Sequence, residues 1–138
     1  GWWLQANVAH AVQRYRFDSA IGGGEVITRG NEVDSAPRWL GGARLGHAHA
    51  WAGEFELEWV HQGGYFLDAA NSQRYDGHDL LHLRWQRGLG RHWTLGARVM
   101  NLLDTRYAER ADLAFGNFRY FPGAGRSLFL SVGWRPGG

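Results

Sequence analysis

Serine and histidine side chains are the groups of this sequence that could carry out covalent chemistry. The chain of 138 residues has seven histidines and no cysteine. Its five serines are Ser19, Ser35, Ser72, Ser127 and Ser131. A barrel hydrolase would need a serine beside a histidine that serves as its base, but no serine has a histidine at a similar height on a neighbouring predicted strand. The sequence therefore predicts that the chain is not an enzyme.

Pairs of histidines are the next candidates, because imidazoles bind metals. His47 and His49 lie two residues apart and share one face of a strand, yet a third ligand of suitable spacing is not visible. His78 and His82 share a face with Arg84, which is typical of the polar interior of a membrane barrel. The sequence predicts no metal and no cofactor.

An acidic row follows in the chain, where Glu54, Glu56 and Glu58 alternate with apolar residues. The row could handle cations, or it could pair with arginines on adjoining strands, such as Arg44 or Arg84. Opposite charges on neighbouring strands are ordinary stabilising pairs. The pairing is the favoured interpretation.

Composition excludes several classes of protein. The 15 basic residues are all arginine and face 13 acidic ones, so the net charge of +2 does not indicate a nucleic-acid partner. With 44% hydrophobic and 20% charged residues, the chain is expected to be ordered, and its length allows one domain. No apolar run approaches the 18 or more residues of a membrane helix.

Hydrophobic residues alternate with polar ones at a period of two, which is typical of strands with one apolar face. From Phe55, for example, Leu57 and Trp59 fall on one face, opposite the acidic row. The pattern predicts six strands, at 3–17, 39–51, 55–67, 78–86, 93–100 and 128–134. No segment shows a helical stripe of useful length.

Connections between these strands alternate in length. Tight turns are predicted at 52–53 and 87–90, and long polar loops at 18–38, 68–77 and 108–123. Short turns at one end and long loops at the other are typical of an outer-membrane barrel.

Aromatic residues also fall at both strand ends, as they do at the two interfaces of a membrane. The turn end has Trp2 or Trp3, Trp51, Trp85, Trp93 and Trp134; the loop end has Tyr15, Phe17, Trp39, Tyr65, Tyr107, Tyr120 and Phe121. A soluble all-β domain, with tryptophans in its core or stacked on a ligand, is the alternative.

Two segments near the C-terminal end have specific motifs. Residues 93–108 end in V-M-N-L-L-D-T-R-Y-A, and residues 120–130 begin with Y-F-P-G-A-G-R. They resemble the end of TonB-dependent outer-membrane receptors, which has V-x-N-L-F-D-x-x-Y and then P-G-x-x-R. Residues 30–38 are similar to a segment of the same family. The matching residues are Asn101, Leu102, Asp104, Tyr107, Pro122, Gly123 and Arg126, while Leu103 replaces the usual phenylalanine.

The resemblance implies a fold. Family members have a 22-stranded barrel, a size that carries a plugged lumen, so residues 1–138 would be its C-terminal part without the plug domain and the energy-coupling box. The expected architecture is an all-β, antiparallel up-and-down meander of six strands, which is a partial transmembrane β-barrel. Members usually end at an aromatic residue, whereas residues 135–138 follow Trp134 here.

The resemblance also implies a function, namely uptake of a scarce ligand such as a ferric siderophore across the outer membrane of a Gram-negative bacterium. Its implied partners are outer-membrane lipid, the TonB complex, the barrel-assembly machinery and an iron chelate. The alternatives are a small complete outer-membrane barrel, acting as an adhesin or passive pore, and a soluble β-barrel that binds a ligand.

Site residues are predicted at the loop end. Arg74, Tyr75, Arg110 and Arg119 are the loop candidates for ligand contact. For Asn101, Asp104 and Tyr107 the sequence favours turn and cap chemistry, because Asn and Asp side chains bond nearby backbone where a strand ends.

Two further expectations concern the sheet. Six strands are too few to close a membrane barrel, so the first and last strands should each have an unpaired edge. The apolar face is expected to be convex, with Leu57, Trp59, Leu81, Leu83, Leu95, Val99, Leu130 and Val132. The polar face is expected to be concave, with Glu56, Glu58, His82, Arg84 and Arg98.

Overall fold

The computed structural model describes residues 1–136, so Gly137 and Gly138 of the segment after Trp134 lie outside the described residues. The described chain has no helix, and therefore none long and apolar enough to cross a bilayer. It has ten strands: β1 (Trp2–His10), β2 (Ser19–Ile21), β3 (Glu25–Ile27), β4 (Trp39–His49), β5 (Gly53–Phe66), β6 (Arg74–Leu89), β7 (Trp93–Met100), β8 (Ala108–Ala114), β9 (Asn117–Pro122) and β10 (Ser127–Trp134).

Six of these strands form one antiparallel sheet in the order β1-β4-β5-β6-β7-β10. Within the part of the chain that the structure describes, β1 pairs with β4 alone and β10 pairs with β7 alone. The sheet is therefore open, and its two outer strands each present a free edge. The predicted all-β meander and partial barrel are confirmed.

Strand bounds differ from the prediction in two places. The first strand ends at His10 instead of residue 17, and the following segment runs beside residues 30–38 with one isolated bridge, between Arg14 and Glu32. Strand β6 is longer than expected, because Gly88 and Leu89 still pair with β7. The second tight turn is consequently at 90–92, where Gly90 has a φ of 62°.

Two of the predicted polar loops contain hairpins of their own. Strands β2 and β3 form one of them. Strands β8 and β9 form the other, joined by Phe115 and Gly116, whose φ values of 52° and 75° belong to a tight primed turn. Residues 108–123 were predicted as a long polar loop, and the structure adds two strands within it to the six that were expected. The third loop is shorter than expected, since β6 begins at Arg74.

Register across the sheet sorts apolar and polar side chains into separate rows. One row is Leu4, Leu45, Leu57, Leu83, Val99 and Leu128. The next row on the other face includes Gln5, Arg44, Glu58 and His82. Leu130 and Val132 are 75% and 66% exposed. The predicted sorting of apolar and polar residues onto opposite faces is confirmed, while the convex and concave assignment of the two faces stays a prediction.

The buried core does not lie on the sheet but at its loop end, where the β8–β9 hairpin packs on β5. Its members are Tyr65, Leu67, Ala108 and Ala111, with Tyr75 packed against them. Tyr65 is only 5% exposed, so its assignment to an exposed aromatic belt is wrong. The belt at the turn end is present, because Trp2, Trp51, Trp93 and Trp134 are each at least half exposed.

Candidate functional site

The loop end of the sheet gathers the motif residues, beginning with Asn101 directly after β7. Asn101 has a φ of 51°, a conformation that asparagine tolerates well, and it is 2% exposed. Its amide nitrogen donates to the carbonyls of Thr105 (2.9 Å) and Ala124 (3.1 Å), and its side-chain oxygen accepts from the N–H of Thr105. One side chain thus closes a turn and ties it to the segment before β10.

Asp104 makes a second tie between the two motif segments. Its carboxylate accepts a hydrogen bond from the backbone N–H of Arg126 at 2.9 Å, and the Arg126 guanidinium donates to the carbonyl of Leu102 at 3.4 Å. Side chains from both segments therefore join residues 101–107 to residues 122–126. These bonds close the base of the β8–β9 hairpin.

Tyr107 and Gly123 complete this base, next to Pro122 at the end of β9. The N–H of Gly123 donates to the carbonyl of Tyr107 at 2.9 Å, and the tyrosine ring covers the glycine so closely that a Cβ would collide with it. The Tyr107 ring also lies 4.6 Å from that of His78. These contacts are turn and packing contacts, the role that the sequence favoured for Asn101, Asp104 and Tyr107.

Tyr75 is a loop candidate that the structure engages internally. Its hydroxyl accepts from the N–H of Ala108 at 3.1 Å and lies 2.8 Å from Nδ1 of His78. Arg74, its neighbour, is exposed and places its guanidinium 5.7 Å from the centre of the Phe66 ring. Arg74 is therefore the more accessible of the two.

Arg110 and Arg119 come together on the β8–β9 hairpin around Asp112. Arg119 forms a two-point ion pair with Asp112 at 2.9 and 3.1 Å, and Arg110 reaches the same carboxylate at 2.5 Å. Both guanidinium groups also lie over the Phe121 ring, at 5.6 and 5.4 Å. The hydrogen bond from Arg119 and the charge of both arginines hold the pKa of Asp112 below its usual range. This cluster keeps one net positive charge.

A second cluster of loop residues was not anticipated from the sequence. Glu32 is 8% exposed and accepts two hydrogen bonds from the Arg38 guanidinium, which lower the pKa of its carboxyl. Asn71 exchanges two hydrogen bonds with the backbone of Glu32, at 2.8 and 2.9 Å. Asn71 has a φ of 57°, and sequence alone does not reveal which asparagine adopts this left-handed conformation. The contacts of Asn71 could therefore not be predicted.

Tyr15 fixes the same loop from the other side. Its hydroxyl donates to the Asp34 carboxylate at 2.6 Å. Partial burial and the neighbouring carboxylate raise the pKa of Tyr15 to about 12. Hydrogen bonds thus connect segments 11–17, 30–38 and 67–72 into one loop platform beyond the sheet.

Charged side chains on the polar face pair across strands. Nε of Arg44 lies 2.6 Å from the Glu58 carboxylate, so the favoured pairing of the acidic row is confirmed at that position. Glu56 is directly opposite Arg84. A hollow of about 300 Å³ is lined by these four residues and by His82 and Arg98, among others.

Histidines of the apolar face lie apart from this hollow. The ring centroids of His47 and His49 are 6.1 Å apart, and the centroid of the His47 ring lies 4.2 Å from that of Trp2, with the two rings tilted. Across residues 1–136 the structure shows no group of three or more His, Asp or Glu side chains placed to hold a metal ion.

Comparisons with known proteins give results at the level of structure. No family model matches the sequence. No curated protein matches it significantly. Among solved structures, the siderophore receptor PiuA of Acinetobacter baumannii superposes with a TM-score of 0.78 at 16% identity, over 96% of this chain and 19% of that one. The ferric yersiniabactin uptake receptor FyuA of Yersinia pestis superposes with a TM-score of 0.70 at 16% identity, over 96% and 20%.

These likenesses establish the fold. The chain has the fold of a segment of a siderophore-receptor β-barrel and spans about a fifth of the length of the receptors it matches. Both of these structures are of uptake or siderophore receptors.

Proposed function

We propose that this chain is the C-terminal barrel segment of a TonB-dependent receptor that takes up a scarce ligand, such as a ferric siderophore, across the outer membrane. The observation that carries the proposal is the open sheet whose large apolar side chains are exposed. One face is rich in exposed leucine, valine and tryptophan, while the charged side chains lie on the opposite face. Lipid can surround such an exposed apolar face, and the neighbouring strands of a larger barrel can pair with the two free edges.

The receptor proposal is supported over its alternatives by two features. A soluble barrel would bury its leucines inside, whereas Leu128 and Leu130 are 64% and 75% exposed. A small complete barrel would pair its first strand with its last, whereas β1 and β10 have no mutual pairing in the described residues. Both features fit a piece of a large barrel.

Ligand contact is proposed for the loop end, with Arg74 and Arg110 as the accessible members of the predicted set. Arg119 and Tyr75 have structural roles beside them. Arg119 pairs with the Asp112 carboxylate, and the Tyr75 hydroxyl accepts a hydrogen bond from the N–H of Ala108 in the β8–β9 hairpin. In the proposed complete protein the plug is a further domain of the same chain, and the partners are outer-membrane lipid, the TonB complex, the barrel-assembly machinery and an iron chelate.

The decisive experiment uses the complete reading frame that contains this sequence. We expect several hundred further codons upstream, outer-membrane fractionation of the product, and loss of growth on one or more ferric chelates when the gene is deleted under iron limitation. Complementation with the intact gene should restore growth, and an Arg74→Gln, Arg110→Gln variant should restore it less well than an Arg16→Gln, Arg29→Gln control. A signal peptide directly upstream would favour the small barrel, and a cytosolic product would favour the soluble one.

A further inference from the structure

Two histidines of β6 accept hydrogen bonds at the connection between β7 and β8. Register places His78 and His82 on the polar face of the strand, four residues apart. The backbone N–H of Asn101, the first residue after β7, donates to Nδ1 of His82 at 3.0 Å. Because a backbone N–H is always the donor, Nδ1 of His82 has no proton in this contact. His82 is therefore neutral here, with its proton on Nε2.

His78 takes part in a similar bond through Tyr75. The Tyr75 hydroxyl accepts from the N–H of Ala108, and Nδ1 of His78 lies 2.8 Å from the same oxygen. A phenol has one proton to donate. Within residues 1–136 this hydroxyl has no other hydrogen-bond acceptor than His78, so its proton points to Nδ1. The imidazole of His78 is thus also held as a neutral acceptor.

Both ends of the connection, residues 101–107, are tied to β6 through these imidazoles. Asn101 and Ala108 are buried, so a lost partner of either N–H is not readily replaced by water. Leu102 follows the same strand, since its N–H donates to the carbonyl of Leu81 at 2.7 Å. The start of the β8–β9 hairpin therefore depends in part on two acceptors that only neutral histidine provides.

Charged groups around His82 come from four strands of the sheet. Glu58 of β5 lies directly opposite it, and Nε of Arg44 on β4 lies 2.6 Å from the Glu58 carboxylate. The other charged side chains that line the same hollow are Glu56, Arg84 and Arg98. Three arginines thus accompany two glutamates, and this lining has no carboxylate to spare for a protonated His82.

His78 has a different set of neighbours. Asp79 follows it on β6, but its side chain is on the opposite face, where its carboxylate lies 2.8 Å from Nδ1 of His61. Gln62, directly opposite His78 on β5, is uncharged. The Tyr107 ring of the connection lies 4.6 Å from the imidazole. A proton gained by His78 therefore disturbs a ring contact as well as the bond from the tyrosine hydroxyl.

Acid changes both contacts in the same way. An imidazole with its proton on Nε2 gains the second proton at Nδ1, which is the accepting atom in both cases. At His82 the new N–H meets the N–H of Asn101, donor against donor. At His78 it removes the acceptor of the Tyr75 hydroxyl. Opening of the connection frees both nitrogens, so opening is coupled to proton uptake.

We propose that His78 and His82 form a proton-sensitive latch that releases residues 101–107 and loosens the β8–β9 hairpin in mild acid. The ordinary pKa of histidine is about 6.5, so the open form gains protons as pH falls below that value. The closed form excludes these protons, and the equilibrium therefore shifts toward opening. The hairpin carries Arg110 and Arg119, so the latch regulates the predicted ligand contacts. That consequence rests on the proposed function, whereas the latch itself rests on the hydrogen bonds.

The test measures hydrogen exchange in the protein encoded by the complete reading frame, purified in detergent micelles. Peptides from 101–114 are followed at about pH 7.5 and about pH 5.5, on either side of the ordinary histidine pKa. Each rate is divided into the intrinsic rate of the same peptide at that pH, which gives a protection factor. The variant is His78→Asn, His82→Asn, because asparagine keeps an acceptor oxygen near the Nδ1 position and does not titrate. The matched control is His47→Asn, His49→Asn, which removes two histidines of the apolar face.

Protection of 101–114 is expected to fall at least about fivefold on acidification in the wild type and the control, since opening takes up protons. The latch variant should keep its protection within about twofold, because it has no proton to gain at either site. Strand β7 should stay protected in all three proteins. An equal fall in the latch variant, an unchanged wild type, or a fall of the same size in β7 would each overturn the inference.

Failure of the proposed function gives a different result. A product that does not fractionate with the outer membrane but shows the expected exchange overturns the proposed function and leaves the latch supported. An outer-membrane receptor whose 101–114 protection does not respond to pH overturns the latch alone. A double variant that fails to accumulate is replaced by His82→Asn, which removes one of the two coupled protons. Its fall in protection should be smaller than that of the control, and an equal fall would count against the latch.

Discussion

The Asp104 carboxylate accepts a hydrogen bond from the backbone N–H of Arg126, 2.9 Å away and 22 residues further along the chain. The bond links the end of β7 to the start of β10, so the whole β8–β9 excursion is closed at its base. Gly125 allows the approach, because a Cβ there would lie 3.2 Å from the same carboxylate oxygen. This geometry gives a physical reason for an aspartate and a glycine at these positions.

Removing the Asp104 carboxylate is predicted to destabilise the strand end. Asp104→Ala loses the acceptor and also the side chain that tolerates a φ of 53°, so we expect a loss of about 1–2 kcal/mol in the free energy of unfolding. Asp104→Asn keeps an acceptor oxygen and should lose less than about 1 kcal/mol. Urea unfolding in detergent, followed by tryptophan fluorescence, measures both. Equal losses for the two variants would contradict the assigned hydrogen bond.

Asn101 is predicted to contribute more than any exposed asparagine of the chain. Asn101→Ala removes three hydrogen bonds to backbone groups and should lower the free energy of unfolding by about 2–4 kcal/mol. The control is Asn117→Ala, whose single bond to the carbonyl of Phe115 lies at an exposed hairpin tip. Similar unfolding curves for the two variants would show that Asn101 is not a structural tie.

Alternation predicted the faces of the sheet because side chains on a strand have a fixed period of two. Leu57 opposite Leu83 and Glu58 opposite His82 follow from that period alone, once the strands pair as hairpins. The place of Asn101 at the end of a strand likewise predicted its bonds with Thr105, since short polar side chains bond local backbone. The bond between Asp104 and the N–H of Arg126 was not predicted in this way, because it joins positions 22 residues apart.

The loop end could not be predicted from local pattern, because long-range packing builds it. Ala111 is buried through contact with Tyr65, 46 residues earlier, and nothing in the sequence near 108–114 alternates clearly. The platform of Glu32, Arg38 and Asn71 likewise joins segments about 40 residues apart. The turn predicted at 87–90 lies at 90–92, since β6 continues for three residues beyond residue 86 and ends at Leu89.

Tyr65 is predicted to hold the β8–β9 hairpin in place. Its buried hydroxyl accepts from the N–H of Ala111 at 2.9 Å. Tyr65→Phe leaves that N–H without its partner in a buried position, which costs about 1–3 kcal/mol. Hydrogen exchange of residues 108–114 should accelerate in this variant, while Tyr120→Phe, at a tyrosine that is 51% exposed, should leave it unchanged. Unchanged exchange in Tyr65→Phe would contradict the prediction.

Acid is predicted to loosen the loop platform through Glu32. Hydrogen bonds from Arg38 hold the pKa of Glu32 below its ordinary value of 4.5. A depressed pKa stabilises the folded state above the unfolded value, and this contribution is lost as pH falls from about 4.5 through the folded pKa. Wild type should therefore lose its stability advantage over Glu32→Gln in that window, measured by thermal unfolding between pH 7 and 3.

The control for this pH dependence is Glu109→Gln, at an exposed position of the hairpin. Its difference from wild type should stay nearly constant over the same range. A difference between wild type and Glu32→Gln that does not shrink on acidification would contradict the assigned ion pair.

Both free edges of the sheet are predicted to make the isolated 138-residue chain associate. Unpaired edge strands pair readily with other copies, and β1 and β10 also expose Leu4, Val8 and Leu130 at 72–75%. The chain should be insoluble without detergent. The sequence has no cysteine, so single Val8→Cys or Leu130→Cys variants in detergent should form disulfide-linked dimers under mild oxidation, whereas Phe115→Cys, at the hairpin tip, should not. A monodisperse monomer in detergent-free buffer, or a disulfide within one chain of a Val8→Cys, Leu130→Cys variant, would instead indicate a complete small barrel.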